Sequence, residues 1–201
     1  DCSRLTSVTI PNSVTKIEHH AFNSCSKLTS VTIPNSVTEI GQSAFCNCPK
    51  LTSVTIPNSV TEIGDYAFDK CEGLTSVVIP ESVTEIGDGT FYYCSNLTGI
   101  VIPDNVRRIG NSAFSRCFNI VDITIPSNVA EIGASAFEDC VKLSNVKYQP
   151  KASVIKEKTF KGCLSLDTIS IPKGVTKITK EAFMNCKKLP SISIPSSLNE
   201  I

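Results

Sequence analysis

Histidine is scarce in this chain, and its scarcity bears on catalysis. The two histidines, His19 and His20, are adjacent near the amino terminus, and a Ser or Cys nucleophile needs a base within reach. There is no glycine-rich phosphate loop, and the pair offers no clustered ligand set for zinc. The sequence therefore predicts a protein that is not an enzyme and that has no cofactor and no catalytic or metal-binding residues.

Long apolar runs are also missing. No segment approaches the roughly 20 apolar residues of a membrane span, and no signal peptide stands at the start. The chain begins at Asp1 and stops at Ile201, in both cases inside its own repeating pattern and without a polar capping unit. We therefore expect a fragment of a longer protein, in which case these absences say little about location.

Net charge is zero, but the charges are unevenly placed. Residues 28–141 hold five Lys or Arg against thirteen Asp or Glu, whereas residues 142–201 hold eleven Lys against four acids. The plain interpretation is a solvated surface, and the alternative is a basic end that meets an anionic polymer or an acidic partner surface. Nucleic acid is not expected, because the lysines are not interleaved with stacking aromatics.

A 23-residue repeat dominates what is present. The segment "LTSVTIPNSVTEIG" begins at Leu28 and again at Leu51, and a close copy begins at Leu74. Columns of Leu, Ile, Phe and Cys keep the same spacing to the end without insertions. A unit this short buries its apolar face only against its own copies. The sequence therefore predicts one solenoid domain over 1–201, with eight full repeats from Leu5 and partial ends.

Each unit combines two kinds of local pattern. In "LTSVTIP", apolar Leu51, Val54 and Ile56 alternate with polar residues, which indicates a β-strand ended by proline. In "DYAFDKC", Ala67, Phe68 and Cys71 lie three or four residues apart, which is typical of one helical turn. Parallel crossovers are overwhelmingly right-handed. We therefore predict a right-handed α/β solenoid with a parallel β-sheet on one face and short helical turns on the other.

The block "LTSVTIPNSVTEIGDYAFDKC" resembles the BspA type of leucine-rich repeat, known from surface proteins of anaerobic bacteria and some protist parasites. The likeness covers essentially the whole chain. The seventh copy departs from it, and the first and eighth copies carry Glu18 and Thr179 where glycine is usual. These changes predict local irregularity in those turns. The resemblance implies a leucine-rich-repeat solenoid from a cell-surface or secreted protein that adheres to host proteins, matrix or other microbes.

Ten cysteines raise the question of disulfides. Nine of them keep the repeat spacing beside the recurring Phe, at a position expected to face inward, and stacked side chains that point the same way suit disulfide torsions poorly. We predict a ladder of buried reduced thiols. Cys46 is off the spacing and is the candidate for an exposed thiol.

Two surfaces are candidate binding sites for a protein or glycan ligand. The outward strand positions form the first, whose hydroxyls suit sugars or many weak hydrogen bonds, although Thr also simply favours exposed strands. Its candidate residues are Ser30, Thr32, Ser53, Thr55, Ser76, Asp122, Asn145 and Lys147. Off-pattern aromatics of consecutive copies form the second, as binding anchors or as cover for neighbouring turns: Tyr66, Tyr92, Tyr93 and Phe118.

The sequence thus predicts a non-catalytic interaction module of a cell-surface protein. Two other classes stay open. One is an envelope or intracellular scaffold that binds a protein of its own cell, and the other is a carbohydrate-binding module attached to a larger protein. The oligomeric state is not indicated.

Overall fold

Residues 2–201 are described by a computed structural model, in which short parallel strands recur at the predicted spacing. The first strand of each repeat has side chains that alternate between solvent and core, as the "SVT" pattern requires. These strands are Ser7–Thr9 (β1), Ser30–Thr32 (β3), Ser53–Thr55 (β5), Ser76–Val78 (β7), Gly99–Val101 (β9), Asp122–Ile125 (β11), Asn145–Tyr148 (β13) and Thr168–Ile169 (β15).

A second, two-residue strand follows each proline turn. These strands are Lys16–Ile17 (β2), Glu39–Ile40 (β4), Glu62–Ile63 (β6), Glu85–Ile86 (β8), Arg108–Ile109 (β10), Glu131–Ile132 (β12), Val154–Ile155 (β14) and Lys177–Ile178 (β16). Every pairing is parallel and joins residues 23 apart, for example Val31 with Val54 and Ile40 with Ile63. The predicted parallel solenoid is confirmed.

The ladders are interrupted at different places on the two sides. The first strands form a five-stranded sheet from β1 to β9 and a separate three-stranded sheet from β11 to β15. The second strands form sheets of β2–β4–β6, β8–β10–β12 and β14–β16. No interruption on one side coincides with an interruption on the other, so each coil keeps at least one ladder to its neighbour.

The core consists of columns of identical side chains. Phe rings stack from Phe22 to Phe183, with neighbouring centroids 5.2–5.6 Å apart and ring planes within 12°. The rings from Phe45 to Phe160 are fully buried. Offset stacking of this kind adds about 0.5–1.5 kcal/mol per pair beyond burial.

The predicted helical turns are wrong. In residues 64–71 the amide of Tyr66 donates to the Asp88 carbonyl of the next coil (2.8 Å), whereas the amide of Ala67 donates back to Gly64 (3.2 Å). Amides alternate in this way along the segment, and Tyr66 and Lys70 adopt left-handed φ angles of 56° and 54°. An α-helix needs every amide to bond four residues back. Residues 64–71 and their equivalents in other repeats, the back turns, are therefore stacked β-turns.

The seventh copy is irregular as expected, and the eighth is not. In other copies the Val amide after the proline closes a turn, as Val129 does to Pro126 (3.2 Å). In the seventh copy Lys151 instead donates to the Val129 carbonyl of the preceding coil (2.8 Å). Tyr148 fills the missing Ile position, buried edge-on against Phe160 with its hydroxyl unpaired. Thr179 keeps the regular bond to Ile155 (2.9 Å).

The cysteines of the repeat are free thiols, and the seven from Cys25 to Cys163 are buried. From Cys48 onward, each thiol of this column donates to the Phe carbonyl of the preceding coil at 3.1–3.3 Å, as Cys94 does to Phe68. Burial raises the pKa of Cys48 and of Cys140 to about 12. Cys46 is only half-exposed, because its thiol lies against Asp69 (3.4 Å); the exposed thiol is Cys2.

Candidate functional site

The strand face, meaning the outward side of the first strands, presents a regular surface over its amino-terminal half. Ser30, Thr32, Ser53, Thr55 and Ser76 are all exposed, and the parallel register places them in two straight rows. Beside these rows, Thr52 donates both its amide (3.0 Å) and its hydroxyl (3.2 Å) to the Thr29 carbonyl. The hydroxyl rows are therefore held on a backbone with little freedom to move.

The carboxyl-terminal half of the strand face is more varied. Asp122 pairs in register with Asn145, and Lys147 follows two residues later, all of them exposed. Asn145 and Lys147 line an open depression of about 640 Å³ between β13 and β15. Asp122 lines a smaller one, of about 360 Å³, between β9 and β11. The predicted strand-face residues thus share one surface but fall into a flat part and an indented part.

Alternation in the sequence places Val78, Gly99 and Val101 on this surface too, but it does not single them out as site residues. Val78 and Val101 occupy outward positions that carry Thr in β3 and β5, and both are largely exposed. Gly99 stands where Ser53 and Ser76 stand in earlier strands. The available signal was the change from "LTSVTIP" to "LTSVVIP" and "LTGIVIP".

Three of the four predicted aromatics come together on the back of the solenoid. Tyr93 lies 6.2 Å from Tyr92 and meets Phe118 edge-on at 5.6 Å, measured between ring centroids. The Arg116 guanidinium lies 5.8 Å from the Tyr92 ring and 5.9 Å from the Tyr93 ring, within cation–π range. These rings are half-buried, so much of their surface is already used within the protein.

Tyr66 is placed apart from the other three. Its side chain lies over Gly89 of the next coil, where an added Cβ would come within 2.3 Å of the ring. Within residues 2–201 Tyr66 forms no aromatic pair. The aromatic cluster therefore consists of Tyr92, Tyr93 and Phe118, with Arg116 added.

Charged side chains along the second strands are mostly engaged with one another. Arg108 reaches Glu85, Asp88 (2.8 Å) and Glu131 (3.7 Å). Burial by itself would raise the pKa of Asp88, but hydrogen bonds from Asn111 and Arg108 outweigh it and lower that pKa. These contacts join neighbouring coils and so brace the stack.

In the part of the chain that the structure describes, no three His, Cys, Asp or Glu side chains group in a way that could hold a metal ion. The same residues include no helix with the length and apolar character needed to cross a membrane.

Solved structures share this architecture. A leucine-rich repeat protein from Bacteroides ovatus is 33% identical over 96% of this chain, with a TM-score of 0.71, and the chain spans 46% of that protein. The leucine-rich repeat protein of T. pallidum is 30% identical over 92% of the chain and is covered over 78% of its own length, with a TM-score of 0.62.

A more distant likeness shows the fold alone. The pneumococcal vaccine antigen PcpA is 21% identical over 96% of this chain, with a TM-score of 0.57, and 63% of it is covered. No curated protein matches the sequence. The BspA type leucine-rich repeat region matches residues 1–121 and 107–201. With the period, the parallel ladders and these two matches agreeing, the chain belongs to the BspA-type leucine-rich repeat family.

Proposed function

We propose that this chain is a non-catalytic binding module of a cell-surface or secreted protein, and that its strand face adheres to host proteins, matrix or other microbes. The observation that carries the proposal is the strand face itself. Rows of exposed hydroxyls lie in register on a backbone that is hydrogen-bonded from coil to coil. Solenoids of this kind bind through long continuous surfaces. A rigid surface also loses little conformational entropy on binding.

The family resemblance supports the location, since BspA-type repeats are known from surface proteins. A glycan partner has its own supporting observation. Neighbouring Ser and Thr hydroxyls both donate and accept hydrogen bonds, and their spacing along the sheet repeats at each coil, which suits a polymer of repeating polar units.

The aromatic cluster of Tyr92, Tyr93 and Phe118 is proposed as a second contact surface. Exposed aromatics and arginines are frequent anchors at interfaces. Replacement of both Tyr92 and Tyr93 by Ala should weaken partner binding with little loss of stability. If binding is unchanged, the cluster serves only as cover for the turns beneath it.

The test is binding of the purified chain to an immobilised panel of matrix proteins, mucin and glycans, at about 0.05 M and about 1 M salt. We expect saturable binding that survives high salt, because hydroxyl contacts are not screened. Binding should fall in the strand-face variant Thr32→Ala with Thr55→Ala. It should persist in the control variant Glu62→Gln, whose substitution lies in β6, away from the strand face.

Two outcomes would count against the proposal. Binding that disappears at high salt would place the contact at the lysine-rich end instead. Absence of binding to every member of the panel at both salt concentrations would contradict adhesion and favour a scaffold for a protein of the same cell.

A further inference from the structure

Two neighbouring strands interrupt the polar surface of the strand face with apolar side chains. Val78 and Val101 are 74% and 75% exposed, and they are register partners in β7 and β9. Single exposed apolar residues are normal on protein surfaces. Two in register on neighbouring strands, next to the Ser and Thr rows of the amino-terminal half, form a local apolar patch.

Gly99 adds a second irregularity at the same place. Its position is outward-facing and open, since a Cβ built there would meet nothing within 4 Å. Glycine in a strand is unfavourable because it loses more backbone entropy than other residues. No packing constraint explains it here. An outward glycine exposes strand backbone and permits the close approach of another chain.

The ladder opens beside these residues. From Thr29 to Thr98, each Thr that precedes a first strand donates its amide and hydroxyl to the preceding coil, as Thr98 does to the Thr75 carbonyl (3.2 Å for both). Val121 replaces that Thr in the next copy and has no hydroxyl to donate. Within residues 2–201, β9 and β11 form no ladder, and no backbone amide donates to the Thr98 carbonyl.

The opening leaves the depression of about 360 Å³ described above. Its floor is apolar, formed by Ile100, Ile102, Ile123 and Pro126. Its rim carries Asp104 and Asp122, both exposed, and neither forms an ion pair within residues 2–201. The site therefore combines an apolar floor with unneutralised negative charge at its edge.

We propose that this junction patch, defined as Val78, Gly99, Val101, Asp104 and Asp122, binds an extended segment of a protein partner in which an apolar side chain lies beside a Lys or Arg. The apolar side chain enters the depression, and the cation meets the two carboxylates at its rim. Gly99 lets the partner backbone lie close to β9. A glycan fits less well, because its hydroxyls would face the two valines without hydrogen-bond partners. The inference rests on the proposed function and names the partner chemistry for one part of the strand face.

The test is selection of a displayed library of random dodecapeptides on the intact chain, with counter-selection on the Val78→Thr, Val101→Thr variant. That variant restores the residue type that β3 and β5 carry at the same position. We expect the enriched peptides to combine an aliphatic or aromatic residue with an adjacent Lys or Arg. The most enriched peptide, titrated against purified protein, should bind the double-Thr variant about tenfold or more weakly.

Two further variants separate the parts of the site. Asp104→Asn with Asp122→Asn should weaken binding of the same peptide several-fold and reduce the salt dependence of its binding. Thr9→Ala, on the same face in β1 and three strands away from Val78, should leave it unchanged. Equal melting temperatures among these variants would show that each one folds.

The proposal is overturned if no peptide enriches, or if the enriched peptides bind the double-Thr variant as well as the parent. Its failure is distinguishable from failure of the proposed function. If the panel of matrix proteins, mucin and glycans binds the chain and the double-Thr variant equally, adhesion stands and the junction patch is not the site. If peptides enrich as expected while the panel shows no binding, the patch stands and adhesion fails.

Discussion

The back turns and the strand face share one 23-residue period, but they differ in how strictly each keeps it. On the back, Phe stacks on Phe and a thiol reaches the preceding Phe carbonyl in coil after coil. On the strand face, hydroxyls give way to Val, Gly, Asp and Lys, and the ladder opens once. The difference teaches that the back holds the coils in a constant stack, while the strand face is freer to vary, as its proposed binding role requires.

The largest expected effect is a loss of stability at alkaline pH, which tests the buried thiol column of the back. Burial raises the folded-state pKa of Cys48 and Cys140 from an ordinary value of 9.0 to about 12, and it raises those of Cys71, Cys94, Cys117 and Cys163 strongly. The resulting stability is complete below pH 9 and is lost as pH rises, because the unfolded thiols ionise first. At about pH 10, ionisation of each of these thiols in the unfolded state lowers the free energy of unfolding by roughly 1–2 kcal/mol. The six together approach the stability of a typical domain.

Urea unfolding at about pH 7 and pH 10 in the presence of a reductant measures this effect. We expect a steep loss of the free energy of unfolding at the higher pH. The variant Cys94→Ala with Cys117→Ala removes two of the six thiols. Between the two pH values, its free energy of unfolding should fall by about 3 kcal/mol less than that of the parent chain. An unchanged pH dependence would contradict the buried thiol column.

The next test removes one ring from the Phe column. Phe91 is fully buried between Phe68 and Phe114, each at 5.6 Å. Phe91→Ala should lower the free energy of unfolding by about 3–5 kcal/mol, because the cavity interrupts the stack. Val78→Ala on the strand face should change it by less than about 0.5 kcal/mol. Comparable losses in urea unfolding would abolish the distinction between the two faces.

A third test concerns the left-handed position in the back turn. Gly89 has a φ of 58°, and an added Cβ would meet the Tyr66 ring. Gly89→Ala should therefore cost about 1–2 kcal/mol. Gly174→Ala is the matched control, since its Cβ meets nothing within 4 Å, and it should be neutral. In a Tyr66→Ala background the cost at Gly89 should fall but not vanish, because the φ remains.

The smallest expected effect is the gain in stability from closing the ladder between β9 and β11. Val121→Thr restores a hydroxyl that can donate to the Thr98 carbonyl and should stabilise the chain by about 0.5–1 kcal/mol. Thr75→Val is the mirror change at a closed position and should destabilise by a similar amount, because it removes the bond to Thr52 (3.4 Å). Urea unfolding of both variants gives the comparison. Equal and opposite shifts would show that the opening results from this one side chain.

The sequence was sufficient for the period, the parallel register and the buried columns. A fixed spacing without insertions translates directly into stacked equivalent residues, and Leu51, Val54, Ile56, Phe68 and Cys71 are buried as predicted. The same spacing could not distinguish a helical turn from stacked β-turns, since both place residues three and four apart on one side. The left-handed positions gave little glycine signal, because residues such as Tyr66 and Lys70 occupy most of them and glycine stands only at Gly89 and Gly162 among the described residues.

The candidate site was less accessible to prediction. Which strand residues face outward followed from alternation, and the 23-residue spacing puts Val78 beside Val101. The depression between β9 and β11 did not follow, because the repeat pattern predicts a continuous ladder. The grouping of Tyr92, Tyr93 and Phe118 without Tyr66 depends on side-chain directions in the back turns, which the repeat pattern does not specify.

The strict spacing of the bonds between coils has a genetic consequence. Each kind of bond recurs at the same offset from coil to coil, as from Cys94 to Phe68 and from Cys117 to Phe91. The gain or loss of a whole unit therefore keeps the same pattern of bonds between coils. The stretches 28–41 and 51–64 are identical, and nearly identical coding sequences are substrates for unequal crossing-over. Such an event changes the length of the molecule, and with it the number of binding positions that it offers to a repetitive partner. An insertion of any other length would put the Phe and Cys columns out of phase. Chains that carry it would misfold, and selection would remove them.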